Sequence, residues 1–184
     1  MFALGGPGRI DQETFNKQKV FIKQFINSYG TSESGIRIGI INYGDNSIPV
    51  RFNNFDRQSI KSMVDRTQRS RQGGQITSAL QRARANFFGN QRLIRTHATK
   101  AFLVLHGANV DQRLGDLSSA ANPLKGSGVL VMSVTTGGIP NKAVQTAFAS
   151  GDGFVFDFQD LSDIPKIVRR VYQAMLTGKF RNYN

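Results

Sequence analysis

Short apolar runs alternate with amphipathic stretches along most of this 184-residue chain. Several runs are almost continuously apolar and rich in β-branched residues, which is typical of strands covered on both faces of a sheet. A Gly-Asp-Asn turn separates two of them and predicts a hairpin. The predicted strands are residues 1–4, 35–41, 48–52, 101–105, 129–134 and 154–158.

Helical periodicity fills the intervals between the predicted strands. Asp11 is placed to cap a helix whose apolar face runs from Phe15 to Tyr29 and which ends at Gly30. Pro123 is expected to interrupt an uneven helix, because proline removes one backbone donor and crowds the preceding turn. The other predicted helices start near Asp56, Thr77 and Ser162.

Alternating strands and helices predict a doubly wound α/β domain, in which helices cover both faces of a mostly parallel sheet with one antiparallel edge strand. We expect one domain over residues 1–176 and a polar tail over residues 177–184. Ligands of such sheets bind beyond the carboxyl ends of the strands. The loops after Leu4, Ile41 and Leu105, joined by the loop at 73–77, are therefore the predicted site.

Composition narrows the chemistry that the chain can perform. It has no cysteine, which excludes disulfides, thiolate zinc sites and cysteine nucleophiles. Its two histidines have no Gly-x-Ser-x-Gly motif beside them, and the glycine-rich loop at 5–8 lacks the spacing of a dinucleotide or phosphate loop. No run of about 18 apolar residues predicts membrane insertion. We therefore expect neither an enzyme nor a membrane-inserted protein.

Five segments, in this order, resemble von Willebrand factor A domains. They are residues 36–45 (IRIGIINYGD), 73–80 (GGQITSAL), 101–107 (AFLVLHG), 128–134 (GVLVMSV) and 154–161 (FVFDFQDL). The resemblance covers roughly residues 2–176. It implies the doubly wound fold and a binding function at the carboxyl ends of the strands.

The resemblance also implies where a metal ion would be held. Metal-binding members use an Asp-x-Ser-x-Ser motif after the first strand, a threonine from the Gly-Gly-x-x-Thr loop and an aspartate after the fourth strand. The matching positions here are Gly5, Pro7, Arg9, Thr77 and His106. Only the threonine remains, so we expect a degenerate site without a metal ion or other cofactor.

Two interpretations of the degenerate site stay open. Arg9 and His106 form an anion pocket that binds a carboxylate directly, or Arg9 is solvated and His106 is hydrogen-bonded at its strand end. Thr77 fits a helix cap as well as a ligand. These residues are therefore predicted as the rim of a partner-binding site.

The charge distribution offers a second candidate surface. Twenty-four Lys and Arg against twelve Asp and Glu give a net charge of +12, which attracts acidic partners. No acidic residue occurs between Asp65 and Asp111, and this stretch is either a docking face for polyanions or a solvated surface. The predicted basic patch is Arg66, Arg69, Arg71, Arg82, Arg84, Arg92, Arg95 and Lys100.

The resemblance is to extracellular matrix members of the family, of the matrilin and collagen VI types. It implies a secreted, noncatalytic adhesion module whose partners are collagen or other matrix proteins, and acidic glycans or acidic proteins also fit the charge. The alternative is a polyanion-binding module for sulfated glycan or for RNA and nucleoprotein, of which nucleic acid is the less favoured partner.

Overall fold

A six-stranded sheet forms the centre of the molecule, in the strand order β3-β2-β1-β4-β5-β6. The structure is a computed structural model that describes residues 1–5, 10–70, 74–90 and 92–181, the side chains of the last three excepted. Every neighbouring pair is parallel except β2 and β3, which form the expected antiparallel hairpin. The strands are β1 (Phe2–Leu4), β2 (Ile40–Asn42), β3 (Ser47–Val50), β4 (Lys100–His106), β5 (Val129–Thr136) and β6 (Val155–Phe158).

Helices cover both faces of the sheet, which confirms the doubly wound α/β architecture. One face packs against α1, α2 and α6, and the other packs against α3, α4 and α5. A π-helical turn at Arg84–Phe88 follows α3 directly. The helices are α1 (Gln12–Tyr29), α2 (Arg57–Arg66), α3 (Ile76–Ala83), α4 (Leu114–Gly126), α5 (Lys142–Phe148) and α6 (Ile164–Arg181).

The predicted boundaries of α1 are confirmed. The Asp11 side chain accepts a hydrogen bond from the backbone N–H of Thr14, which otherwise has no partner in the first turn. Gly30 ends the helix with φ of 70° and donates its N–H to the carbonyl of Ile26. Phe15 and Ile22 are completely buried, so the apolar stripe read from the sequence is the face that packs on the sheet.

Strand β2 is shorter than the predicted strand at 35–41. It pairs with β1 only from Ile40, opposite Phe2, to Asn42, opposite Leu4. Residues 35–39 precede the paired segment and are irregular, although Ile38 is buried. An apolar β-branched run predicts that its residues are buried. A strand also needs a partner strand in register, which the pattern of apolar residues does not predict.

The helices differ from the sequence prediction in three respects. Pro123 does not interrupt α4, which continues to Gly126; the proline is exposed and lies in the last turns. Helix α5 was not predicted, although Asn141 caps it by accepting the N–H of Val144. Helix α6 continues to Arg181, so the residues from 177 onward do not all form a tail. Gly178 lies in that last part of the helix and is buried.

Gly74 lets the loop before α3 approach the end of β2 closely. A Cβ atom at this position would lie 1.8 Å from the backbone oxygen of Tyr43 and 3.0 Å from the Cα atom of Gly44. Because both are backbone atoms, they cannot move aside as a side chain can. Because Gly74 has no side chain, the loop before α3 can lie directly against the end of β2 at the candidate site.

Replacing Gly74 by alanine is expected to lower the free energy of unfolding by more than about 2 kcal/mol, because the new methyl group must displace backbone. Urea denaturation followed by circular dichroism measures this change. Gly115→Ala is the matched control, since nothing lies within 4 Å of a Cβ atom there. Equal stability of the two variants would contradict the close approach at Gly74.

Candidate binding site at the carboxyl ends of the strands

A cleft of about 1250 Å³ lies at the carboxyl ends of the strands, where the sequence predicted the site. The loops at 107–112 and 136–141 form much of its wall, and Asp11, Thr14 and Gln75 line it as well. Its described lining is therefore rich in backbone, hydroxyl and amide groups, which donate and accept hydrogen bonds, and it also includes the carboxylates of Asp11 and Asp111.

Gln18 of α1 forms hydrogen bonds with the backbone at the end of β1, next to the cleft. Its side-chain oxygen accepts the N–H of Gly5 at 2.8 Å, and its Nε2 donates to the carbonyl of Gly5 at 2.9 Å. The same Nε2 lies 3.2 Å from the hydroxyl of Thr136, which donates to the carbonyl of His106 at 3.0 Å. Both backbone groups of Gly5 are therefore used within the fold.

Gln18 was not predicted from the sequence as part of the site, although a signal was present. It lies three residues after Phe15 and four before Ile22, on the buried face of α1, where an apolar side chain is expected. Gln18 is completely buried. A buried amide needs hydrogen-bond partners, so a glutamine in an apolar stripe indicates a polar group opposite it.

His106 is buried and uncharged at the end of β4. Its Nδ1 lies 2.7 Å from the carbonyl of Gly107, and its Nε2 lies 2.9 Å from the hydroxyl of Ser133. A carbonyl can only accept, so Nδ1 carries the proton and Nε2 accepts from the serine. Burial lowers the pKa of His106 from 6.5 to about 4, while the hydrogen bond to Gly107 acts in the opposite direction. At neutral pH His106 therefore offers no positive charge to an anion.

Gln145 of α5 extends this polar network to the neighbouring strands. Its Nε2 donates to the hydroxyl of Thr135 at 2.7 Å and to the carbonyl of Phe156 at 3.2 Å. The Thr135 hydroxyl in turn lies 3.5 Å from Nε2 of His106. Two helix side chains, Gln18 and Gln145, thus bond to polar groups of β5, of β6 and of the residue that follows β1, while β5 itself supplies the partners of His106 in β4.

Thr77 lies in the first turn of α3 and is held by two amide side chains. Its backbone N–H donates to Oε1 of Gln112, and its hydroxyl donates to Oε1 of Gln75, both at 3.3 Å. Gln75 occupies the capping position, two residues before Thr77, but makes no side-chain capping bond. Gln112, from the loop after β4, therefore satisfies one backbone N–H group in the first turn of α3.

The structure brings three of the five predicted rim residues to this end of the sheet. Gly5 and His106 belong to one hydrogen-bond network, and Thr77 borders the cleft through Gln112. Pro7 and Arg9 lie outside the described residues. Among the residues that the structure describes, no three His, Cys, Asp or Glu side chains come together as a metal-binding group.

The basic stretch does not form one continuous row. Arg84 lines a cleft between α3 and α4, whereas Arg95 and Lys100 line a cavity near the start of β4, at the opposite end of that strand. Arg71 lies outside the described residues. Five of the described members donate side-chain hydrogen bonds to backbone carbonyls: Arg66 to Ser62, Arg69 to Ile10, Arg82 to Asn46, Arg95 to Ser34 and Gly35, and Lys100 to Ser127.

Carbonyl partners are neutral, so they do not cancel these positive charges. Within the described ranges, the ion pairs are Lys17 with Glu13 and Lys23 with Asp65, and neither involves the basic stretch. The stretch therefore remains strongly basic, but it presents its charge in separate places.

The sequence matches the family model of the von Willebrand factor type A domain over residues 1–170. The chain belongs to this family. As a von Willebrand factor A domain, it is related to modules that generally serve protein interaction and adhesion. No curated protein sequence matches it significantly. Across the described segments, no helix is long and apolar enough to cross a membrane.

Solved structures show the same fold at low sequence identity. Proximal thread matrix protein 1 from the mussel byssus superposes with a TM-score of 0.77 at 18% identity, over 92% of this chain and 46% of that chain. The manganese-loaded TRAP protein of Plasmodium vivax gives 0.74 at 17%, over 92% and 71%. BatB from Bacteroides thetaiotaomicron gives 0.72 at 15%, over 96% and 97%. The chain thus spans less than half of the mussel protein.

The stability of the domain is expected to fall as the pH drops from 6.5 toward about 4, because His106 folds uncharged. The folded pKa lies below the unfolded one, so this contribution is fully present above 6.5 and is lost as the histidine must become charged. The loss amounts to roughly 3 kcal/mol. Urea denaturation at intervals between pH 7 and pH 5 measures its onset. His106→Gln should flatten this slope, whereas His97→Gln, which changes an exposed histidine, should retain it; equal slopes in both variants would contradict the assignment.

Proposed function

We propose that this von Willebrand factor A domain is a noncatalytic adhesion module that binds its partner directly, without a bridging metal ion. The observation that carries the proposal is the state of the strand ends: the backbone of Gly5 and the ring of His106 are bonded within the fold. Groups committed in this way are not free to coordinate an ion.

The donor set does not fit the divalent cation that the family implies. Magnesium prefers oxygen ligands, usually carboxylates, and Gly5 and Pro7 have no side-chain oxygen. Arg9 adds a permanent positive charge to the same motif, which opposes cation binding. The mussel thread matrix protein, which has the same fold, has been solved with zinc in its metal-ion-dependent adhesion site, so the proposal rests on this chain's residues and not on its fold.

The partner that we propose is collagen or another extracellular matrix protein, which makes this a secreted domain. The likeness to a matrix protein of the mussel byssus supports this choice, as does a cleft lined largely by hydrogen-bonding groups. A partner's side chains and backbone can bond to such groups directly.

Binding of the domain to immobilised collagen is expected to be equal in EDTA and in millimolar magnesium or manganese, as measured by surface plasmon resonance. Isothermal titration of the domain with either ion should give no saturable heat. A stoichiometric heat, or binding that EDTA abolishes, would contradict metal independence. Absence of binding to a panel of matrix proteins under both conditions would instead contradict the choice of partner.

A second candidate function is polyanion binding, with sulfated glycan ahead of RNA or nucleoprotein. The observation that favours it is the charge of the basic stretch, several of whose described cations bond to neutral carbonyls in a chain of net charge +12. Such charges attract polyanions in a salt-dependent manner.

The domain is expected to bind a heparin column and to elute with salt. Arg66→Gln with Arg92→Gln, two exposed members of the basic stretch, should elute at lower salt than the wild-type chain. Lys166→Gln with Arg169→Gln removes the same charge from exposed positions of α6, outside the basic stretch, and is the matched control. Equal shifts in both double variants would show attraction by net charge alone.

A further inference from the structure

A second cleft, of about 950 Å³, separates α3 and its π-helical turn from α4. Gln112 lines both this cleft and the one at the strand ends, so the two adjoin at that residue. We call it the α3–α4 cleft. Its described lining also includes Gln81, Arg84, Arg113 and Ser119. From the sequence alone, Arg84 was predicted only as a member of the basic stretch.

Both walls of the α3–α4 cleft interrupt the regular helical hydrogen bonding. On one wall, the N–H of Gly89 donates to the carbonyl of Arg84 at 2.7 Å, five residues back, as in a π-helix. On the other wall, Pro123 has no N–H to give to the carbonyl of Ser119. π-Helical turns cost regular bonding and occur frequently at functional sites. The carbonyl of Ser119, a residue that lines the cleft, therefore lacks its regular helical donor.

Gln112 supplies a donor that the fold leaves unused. Its Oε1 accepts the N–H of Thr77, which fixes the direction of the amide group. Its Nε2 is buried from solvent and has no hydrogen-bond partner among the described atoms. An unsatisfied buried donor is unfavourable, and a ligand carbonyl or carboxylate oxygen would satisfy it.

Arg84 and Arg113 bring two exposed cations to the same cleft. Neither forms an ion pair within the described part of the chain, although Asp111 and Asp116 also line the cleft. Two cations and two carboxylates give the cleft no net charge. A densely charged polyanion would meet repulsion from the aspartates, whereas a single carboxylate can pair with guanidinium groups.

We propose that the α3–α4 cleft binds an extended peptide segment of a partner protein and pairs one acidic side chain of that segment with Arg84 and Arg113. The Nε2 group of Gln112 donates to the segment's main chain or carboxylate. This inference rests on the proposed function as a protein-binding module and names the surface and the side-chain chemistry through which the module recognises its partner.

Fluorescence anisotropy of the labelled heptapeptide Gly-Pro-Ala-Glu-Ala-Pro-Gly tests the inference, because its prolines keep it extended and it has one acidic side chain. We expect saturable binding to the wild-type chain at low salt. Arg84→Gln with Arg113→Gln should weaken it by roughly tenfold or more, since two charge-assisted contacts are lost. Lys166→Gln with Arg169→Gln is the control of equal charge, and all variants should unfold at wild-type temperature because the replaced side chains are exposed.

Three outcomes would overturn the inference: no saturable binding, equal weakening by both double variants, or equal affinity for the peptide in which glutamine replaces the glutamate. Loss of heparin retention in the Arg84 and Arg113 variant, with peptide binding unchanged, would assign these arginines to polyanions and overturn it as well.

If collagen binding in EDTA survives in that variant, the cleft is the wrong surface while the proposed function stands. If the wild-type chain binds no matrix protein, the proposed function itself fails.

Discussion

The need to satisfy buried polar groups at the ends of the strands governs this structure. Parallel strands end together at one edge of the sheet, and the backbone and hydroxyl groups there lose access to water once helices cover both faces. Gln18 and Thr136 bond to the backbone of Gly5 and His106, and Ser133 bonds to the imidazole of His106. The residues next to the candidate site therefore belong to the hydrogen-bond network that satisfies the strand ends.

That constraint also determines what chemistry the site can offer. An imidazole that bonds to a carbonyl on one side and a hydroxyl on the other, and whose pKa burial lowers, remains neutral and rigid. Of the two interpretations left open for His106, the structure supports hydrogen bonding at a strand end over a charged anion pocket. What remains available at this end of the sheet is loop backbone, amide side chains and the carboxylates of Asp11 and Asp111, all of which can form hydrogen bonds.

Patterns that depend on local chemistry could be predicted from the sequence, and patterns that depend on distant partners could not. The cap of α1 by Asp11 and the hairpin of β2 and β3 are local, and both are confirmed. The length of β2 depends on its register with β1, and the role of Gln18 depends on Gly5 and on Thr136, which lies 118 residues away in the chain. The rim of the site was predicted from family resemblance, whereas the network beneath it required the structure.

Charge illustrates the same limit. A basic stretch in the sequence suggests one basic surface. The fold instead places members of this stretch near opposite ends of β4. Lys100 begins β4, whereas Arg84 lies beside a cleft that adjoins the other end of that strand through Gln112. Arg113, outside the basic stretch, joins Arg84 in that cleft together with two aspartates. The charge that this surface presents therefore depends on which residues the fold brings into the cleft, which a sum over sequence neighbours does not describe.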